Sequence, residues 1–461
     1  MGIRDYLISS ILFYMSWIII PLFLEFLPAI GNVLVLLKNS MVNKESKELI
    51  YQPEITIIVP VYHSQETLRE CIRSIYESDY ENDRIYVMVV DNGGDLESFL
   101  AFQACQEEFS DLHMNWLTSK QGKSKALNLA LFNSAGRYVI HIDSDGVLHP
   151  KAIKRVVTYF EQEQEVHCIT GTILTNQEMI EQTSSFGLRL LRRMEFFEYA
   201  QAFLAGRNFE AEFNSIYTVS GAFSAFRKST ILKTRLYNTD TVCEDTQITF
   251  QIREWMKQRI GICENAYFFV DPIEDVNRLY TQRQRWQRGE LEVTHMFEKE
   301  RKQGAHTSAE KKRGTIITRV LFYDHTFAFP RMIWYFAILC LLFLNYPIKL
   351  VVGSVFLLYV ISVITASLYY FCILLYLRKD KNIQRYYRKL WYMNGLYPIY
   401  NFAIFWFRFA GIINAINGDQ VWKTQTLTQE KEQWKQIVAK DFTRILHVLK
   451  KIRKRGNREE E

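Results

Sequence analysis

The sequence has no charged residue between Leu350 and Leu377, no two cysteines at a metal-ligand spacing, and no internal repeat or low-complexity tract. Each absence narrows the field. An uncharged run of that length is too long for a buried strand and exceeds the roughly 20 apolar residues that cross a bilayer as a helix. The seven cysteines, Cys71, Cys105, Cys168, Cys243, Cys263, Cys340 and Cys372, are scattered, so neither a zinc module nor a disulfide framework is expected. They read as small core residues in a reducing compartment. The N-terminal apolar run lacks a basic segment before it and a small-residue cleavage site after it, so it is expected to be a retained anchor.

Hydrophobic residues make up 48% of the 461 positions but gather at the two ends. The first run extends from Tyr6 to Leu37, broken by Pro21, Glu25 and Pro28; the others cover Met332 to Tyr346, Leu350 to Leu377, and Met393 to Ile416, which contains Pro398 and Arg408. Basic residues set the orientation. Arg378, Lys379, Lys381, Arg385, Arg388 and Lys389 follow the surest run and belong on the cytoplasmic side, which puts the central region there too. The tail, with Lys450, Lys451, Arg453, Lys454 and Arg455, also reads as cytoplasmic. A full crossing by Met393 to Ile416 would put it outside, so that run is either re-entrant or one span is miscounted. The expected plan is an anchor at residues 1–40, a cytoplasmic domain at 50–300, an interfacial amphipathic segment at 313–330, membrane helices at 331–417 and a basic tail at 418–461. The protein is expected in the cell membrane, crossing it several times.

A net charge of +6 and a pI near 8.7 suit an anionic substrate, but the basic residues hug the apolar runs, where they meet lipid headgroups. Membrane lipid is therefore an expected partner and nucleic acid is not.

The central region alternates. Strand patterns at 55–59, 85–90, 114–117 and 137–142 are separated by helical spacing at 66–77, 96–107 and 123–134. Apolar strands joined by helices predict an α/β domain with a mainly parallel, Rossmann-like sheet and helices on both faces. Ligands bind such sheets beyond the carboxyl ends of the strands, and there stand Asp91, Asp143 and Asp145.

Asp143-Ser144-Asp145 places two carboxylates on one side of an extended chain, where both meet one cation. Mg²⁺ or Mn²⁺ held this way takes phosphate oxygens and water in its other positions; the bland alternative is a solvated turn. Glu244-Asp245 opens a helical stretch and reads either as an N-capping pair or as a general base acting on an acceptor hydroxyl. Gln282, Arg285 and Trp286 share a helix face; Arg285 suits a diphosphate and Trp286 a sugar ring, against a basic surface helix as the plain reading. Gly122-Lys123 opens a helix where a phosphate would sit. Ser220-Gly221-Ala222 is read as following a strand, with small residues that admit a substrate or simply make a turn.

Together these pieces resemble the processive family-2 glycosyltransferases, the group that includes cellulose synthase, hyaluronan synthase and poly-N-acetylglucosamine synthase. The resemblance covers about residues 54–289 and the flanking helices, and rests on the ordered set Asp91, Asp143-x-Asp145, Glu244-Asp245 and Gln282-x-x-Arg285-Trp286. It implies a GT-A fold and an inverting transfer from a nucleotide sugar, expected to be UDP-linked, to a growing glycan. It also implies roles. Asp91 would meet the uridine, Lys123, Gln282 and Arg285 the donor, and Asp143 and Asp145 the diphosphate and its Mg²⁺ or Mn²⁺. Asp245 beside Glu244 would be the base, and Trp286 with Ser220 and Gly221 would face the acceptor. His63-Ser64 stands where many relatives have Asn-Glu, Asn92 where they have Asp, and Cys243 where they have Thr. These departures point to an outlying subgroup, a Gram-positive exosortase-associated one being a candidate, with accessory envelope proteins as partners. The alternatives are a single-addition transferase acting on a polyprenyl-phosphate lipid, against which Gln-x-x-Arg-Trp weighs, and an inactive scaffold, against which the intact carboxylates weigh.

Overall fold

The computed structural model describes residues 3–41, 49, 51–239, 241, 243–304, 328–416, 426–429 and 432. All but the end of the expected interfacial segment at 313–330, and most of the basic tail, lie outside these residues. The chain forms two compact units, Met1–Pro272 with Gly289–Ala403, and Ile273–Arg288 with Ile404–Glu461.

The first unit is built on an eight-stranded sheet in the order β3-β2-β1-β4-β7-β6-β8-β5. The strands are β1 Ile55–Val61, β2 Ile85–Asp91, β3 His113–Thr118, β4 Tyr138–Ile142, β5 Gly146–Leu148, β6 Val166–Thr175, β7 Phe223–Arg227 and β8 Arg259–Val270. The first four are parallel, as the alternating pattern predicts. β1 and β4 are buried along their whole length, which is why they read as continuous apolar runs without alternation. Beyond β4 the sheet turns mixed: β7 runs antiparallel between β4 and β6, β8 is parallel to β6, and β5 is antiparallel to β8. The sheet is therefore mostly parallel, with its antiparallel pairings confined to the second half.

Helices Leu68–Tyr76, Leu96–Glu108, Lys123–Asn133 and Ala152–Gln162 make the crossovers. The Lys123 helix buries Ala126, Leu127, Ala130 and Leu131 in a core with Ile58, Val90, Val139, Phe226 and Ile248, which fixes its first turn at the carboxyl edge of the sheet. Asp95 caps the Leu96 helix by accepting from the Glu97 N–H at 3.1 Å.

Among the described residues two helices, Ile348–Lys379 and Met393–Asn414, are long and apolar enough to cross a membrane. The first has 17% of its apolar window buried, so its greasy flank faces outward. Its α-helical part, Ile348–Tyr376, has 29 residues, about 44 Å at 1.5 Å each. The N-terminal run forms helix Ile3–Pro21, a π-turn at Leu22–Phe26 and helix Leu27–Met41. Pro21 removes a donor there, and the widened turn accommodates the loss. Around this bundle the Trp334 indole N–H donates to the Trp17 carbonyl at 3.0 Å, and the Tyr376 hydroxyl donates to the Leu36 carbonyl at 3.1 Å. Gly353 lets the Tyr14 ring lie against the helix backbone; a Cβ there would sit 2.5 Å from its hydroxyl.

A broken helix, Phe186–Tyr199, joined by a π-turn at Ala200–Gly206 to Arg207–Glu212, packs against Ile348–Tyr376. Phe197 stacks on Tyr387 at 5.4 Å, and the Tyr400 hydroxyl donates to Glu198 at 2.6 Å. His149, just past β5, pairs with Asp380 at 2.8 Å. The sheet is thus seated on the apolar helices by stacked rings and polar contacts.

In the second unit, Tyr280 meets Phe407 edge-on at 5.1 Å, and Gly411 admits the Gln284 backbone, since a Cβ there would lie 2.8 Å from its carbonyl oxygen.

Candidate active site

The site forms at the carboxyl edge of β1, β2 and β4. Lys123, first residue of its helix, reaches across this edge. Its Nζ donates to Asp143 Oδ1 at 2.6 Å and to the Gly221 carbonyl at 3.3 Å, and lies 3.5 Å from Glu244 Oε1. Three residues far apart in sequence and picked independently from it are therefore held by one ammonium.

Gly221 is the joint. Its carbonyl accepts from Lys123 and its N–H donates to Asp245 Oδ2 at 3.1 Å. A Cβ at Gly221 would stand 3.0 Å from that oxygen, so close approach is what the glycine permits. Ser220 to Ala222 lead into β7 and do not follow a strand, which corrects the sequence expectation. Ser220 is spent on the turn: its N–H donates to Thr170 Oγ1 at 3.1 Å and its hydroxyl accepts from the Ala222 N–H at 3.3 Å.

Glu244 and Asp245 begin helix Glu244–Phe250, which continues through a π-turn at Gln251–Trp255. A ladder staples this helix to the segment before β7. Thr246 and Thr218 share a hydroxyl contact at 2.8 Å, and the Val219 N–H donates to Thr249 Oγ1 at 3.0 Å. Asp245 Oδ1 accepts from the Thr246 N–H at 2.7 Å, so the carboxylate is held from both oxygens.

Electrostatics separates the acids. Burial works against the charge on Lys123, but Asp143 and Glu244 outweigh it and hold the amine above its usual range. Burial raises the Glu244 carboxyl, and neighbouring Asp245 adds to this; at 3.5 Å Lys123 only partly offsets it. Asp145 is exposed, yet protein atoms crowd around its side chain. Desolvation, then the charge of Asp143, push its carboxyl up to about 6.

Asp91, at the end of β2, is different. Its carboxylate accepts from the N–H groups of Gly93 at 2.8 Å, Gly94 at 3.0 Å and Asp95 at 3.2 Å, and is buried. The exposed Tyr62 ring lies over Gly93, where a Cβ would come within 2.9 Å of it. His63 takes φ 51° and sets its ring 3.5 Å from Asp95. Ser64 hydrogen-bonds Ser144 at 2.7 Å, which ties the β1 exit to the Asp-x-Asp turn.

Of the helix motif, Arg285 is exposed, while Gln282 and Trp286 are half-buried. Arg283, unremarked in the sequence, is fully buried; it donates to Gln282 Oε1 at 2.6 Å and lies 4.4 Å over the Trp286 ring. Its spacing of three residues from Trp286 was the available signal. His141, Tyr237 and the three threonines of the ladder were likewise not singled out.

Asp143 and Asp145 are hard oxygen donors two residues apart, a set that fits Mg²⁺ or Mn²⁺. Among the described residues no group of three or more His, Cys, Asp or Glu side chains is spaced to hold a metal alone.

Comparison with known proteins agrees with this geometry. Residues 53–289, more than half of the chain, match the family described as glycosyltransferase like family 2. The chain is 23% identical over 239 residues to the poly-beta-1,6-N-acetyl-D-glucosamine synthase of Staphylococcus aureus, covering 52% of this chain and 55% of that protein. The enzyme of that name from Staphylococcus epidermidis is also 23% identical, over 242 residues, again covering 52% and 55%. The match thus spans about half the length of these relatives. In fold the chain is similar to a Pyrobaculum calidifontis mannosyltransferase solved with GDP-Man and Mn²⁺, with a TM-score of 0.55 at 15% identity, covering 88% of this chain and 99% of that one. The protein belongs to the family-2 glycosyltransferases.

Proposed function

We propose that this protein is an inverting transferase that moves a sugar from a UDP-linked donor onto a growing polysaccharide at the cytoplasmic face of a membrane, adding many sugars in succession. The observation that carries the reading is the double use of Gly221. Its carbonyl holds Lys123 on the donor side and its N–H holds Asp245 on the acceptor side. One residue thus ties the donor-side lysine to the acceptor-side carboxylate.

In the proposed step Asp245 takes the proton of an acceptor hydroxyl while the oxygen attacks the sugar C1. The bond from C1 to the diphosphate breaks, and the nucleoside diphosphate leaves with the electron pair. A single displacement inverts the anomeric centre. Lys123 and Arg285 bind the diphosphate, and Gln282 borders it. Asp91 orders the loop that meets the uridine, beneath the exposed Tyr62. Asp143 and Asp145 would hold Mg²⁺ or Mn²⁺, which would offset the charge of the leaving diphosphate. Trp286, with Ser220 and Gly221, faces the acceptor glycan. The two long apolar helices among the described residues support a membrane setting; several crossings, lipid contact and accessory envelope proteins complete the proposal. The staphylococcal relatives make a polymer of N-acetylglucosamine by name, which supports a polymeric product.

The test is full-length protein in lipid, supplied with a panel of UDP- and GDP-linked sugars, with release of nucleotide and product length both read. Long polymer from a UDP-sugar is expected. One sugar per acceptor, or preference for a polyprenyl-phosphate acceptor, removes the processive reading and leaves the transferase. No nucleotide release from any donor removes both.

A further inference from the structure

Beneath the carboxylate cluster lies a buried polar pair with no part in the scheme above. His141, on β4 and two residues before Asp143, is 3% exposed, as is Tyr237. The Tyr237 hydroxyl and His141 Nδ1 are 2.7 Å apart. The other imidazole nitrogen, Nε2, is buried with no hydrogen-bond partner among the described residues. Because β-strand side chains alternate, His141 shares a face with Asp143 and lies one step below it.

Tyr237 belongs to the segment that leads into Glu244 and Asp245, and three side-chain amides pin that segment. Asn128, on the Lys123 helix, clamps the Tyr237 backbone from both sides, donating to its carbonyl at 2.8 Å and accepting from its N–H at 2.9 Å. Gln251 does the same one step earlier, accepting from the Arg235 N–H at 2.7 Å and donating to the Leu236 carbonyl at 2.8 Å. Gln247 accepts from the Asn238 N–H at 3.4 Å. Between the clamps Leu236 takes φ 61°, a strained conformation for a side-chain-bearing residue. A chain held this firmly and bent this sharply to bring one hydroxyl under the site, against an imidazole left half-satisfied, is not explained by packing alone.

We propose that Tyr237 and His141 are positioning residues for the transfer step: their hydrogen bond fixes the segment that delivers Asp245 relative to the strand that delivers Asp143. The proposal rests on the transferase reading. Burial, with the charges of Glu244 and Asp245, raises the Tyr237 hydroxyl well above its ordinary range, so it remains a phenol and sets distance without adding charge to the carboxylates.

The test uses full-length protein in lipid and follows UDP release from the donor that wild type turns over. Tyr237→Phe removes one oxygen. Its kcat is expected to fall about tenfold or more, the usual scale for losing a group that orients a reacting one, while donor KM and the Kd for UDP stay within about twofold. The double variant His141→Leu/Tyr237→Phe removes both polar ends, so its thermal midpoint should recover toward wild type while kcat stays low. It also serves as the reporter if Tyr237→Phe alone does not accumulate. Tyr80→Phe, which deletes another buried hydroxyl, bonded to the Pro53 carbonyl, should leave kcat unchanged. A Tyr237→Phe kcat within about twofold of wild type, or a double variant whose kcat recovers with its stability, overturns the proposal alone. Wild-type protein that releases no UDP from any donor overturns the transferase reading and the pair with it.

Discussion

Asp91 and Asp145 close neighbouring parts of one sheet edge, yet the fold treats their charges in opposite ways. Asp91 is buried and accepts three backbone N–H bonds, so its charge is spent on closing the loop after β2. Asp145 is exposed but crowded, faces the like charge of Asp143 and has its carboxyl pushed up to about 6. The first carboxylate is used up in local structure, and the second is left under repulsion. A carboxylate left under repulsion in a folded protein is a better guide to chemistry than one that is well bonded. By this measure the Asp143–Asp145 end of the site is the first place to test for chemistry.

The largest effect should come from the acceptor side of that end. Asp245→Asn should lower sugar transfer about a hundredfold or more while UDP binding stays near wild type, because a general base acts on the acceptor proton and not on the nucleotide. Turnover within a few-fold of wild type would remove the assignment. Next is the cation. Donor turnover should stop in excess EDTA and return with Mg²⁺ or Mn²⁺, since one lysine shared by Asp143 and Glu244 leaves net negative charge facing a diphosphate. Full activity in metal-free protein would leave these carboxylates without that role.

Gly221→Ala should fall between these extremes. The new Cβ would stand 3.0 Å from Asp245 Oδ2, so the base must shift by a few tenths of an ångström. Misplacement on that scale is expected to cost roughly tenfold in kcat, with little change in UDP affinity. An unchanged kcat would mean that Gly221 is needed only for its turn. Arg285→Ala and Trp286→Ala should differ from each other. The exposed Arg285 is expected to contribute to UDP binding. Trp286 is expected to affect product length alone, and shorter polymer at unchanged UDP Kd is the sign to look for.

The two halves of the sheet were not equally legible. The first four strands are short apolar runs between amphipathic helices, and the parallel arrangement follows from that alternation. The second half hides its order. β5 has three residues, and the β6–β8 ladder shifts register twice. β7 pairs antiparallel between strands that are distant in sequence. None of this leaves a periodic trace. The charged residues of the site could be found because carboxylates at strand ends and a lysine at a helix start have few structural uses. The threonine ladder, Arg283 and the His141–Tyr237 pair could not, because their meaning depends on contacts between segments many residues apart. Ser64 shows the limit most plainly. Against the family pattern it is a departure, and in the fold it is a tie to Ser144.

The smallest effects give the sharpest contrast between the two aspartates, because they should differ in sign. Asp91→Asn turns one accepting oxygen of a buried carboxylate into a donor that faces backbone N–H groups. Losing hydrogen bonds to a charged group costs about 1.5–3 kcal/mol, so the thermal midpoint should fall by several degrees. Asp145→Asn should raise the midpoint of metal-free protein at pH 7, because it removes a carboxylate that the fold disfavours. The sign follows from proton linkage. The folded carboxyl titrates near 6 and the unfolded one near its ordinary 3.8, so between those values the folded state binds more protons. Stability from this group therefore declines as pH rises through that window and is lowest above it. The advantage of Asp145→Asn should be full at pH 7, shrink as pH falls through 6, and vanish near 4. Solvent access at the Asp145 tip keeps the gain modest. Added Mn²⁺ should reverse the order, stabilising wild type more than the variant by binding the folded state. Midpoints measured for both variants across pH 4–8, with and without Mn²⁺, decide the matter. Two falls of equal size, independent of pH and metal, would mean that both aspartates serve the turn alone.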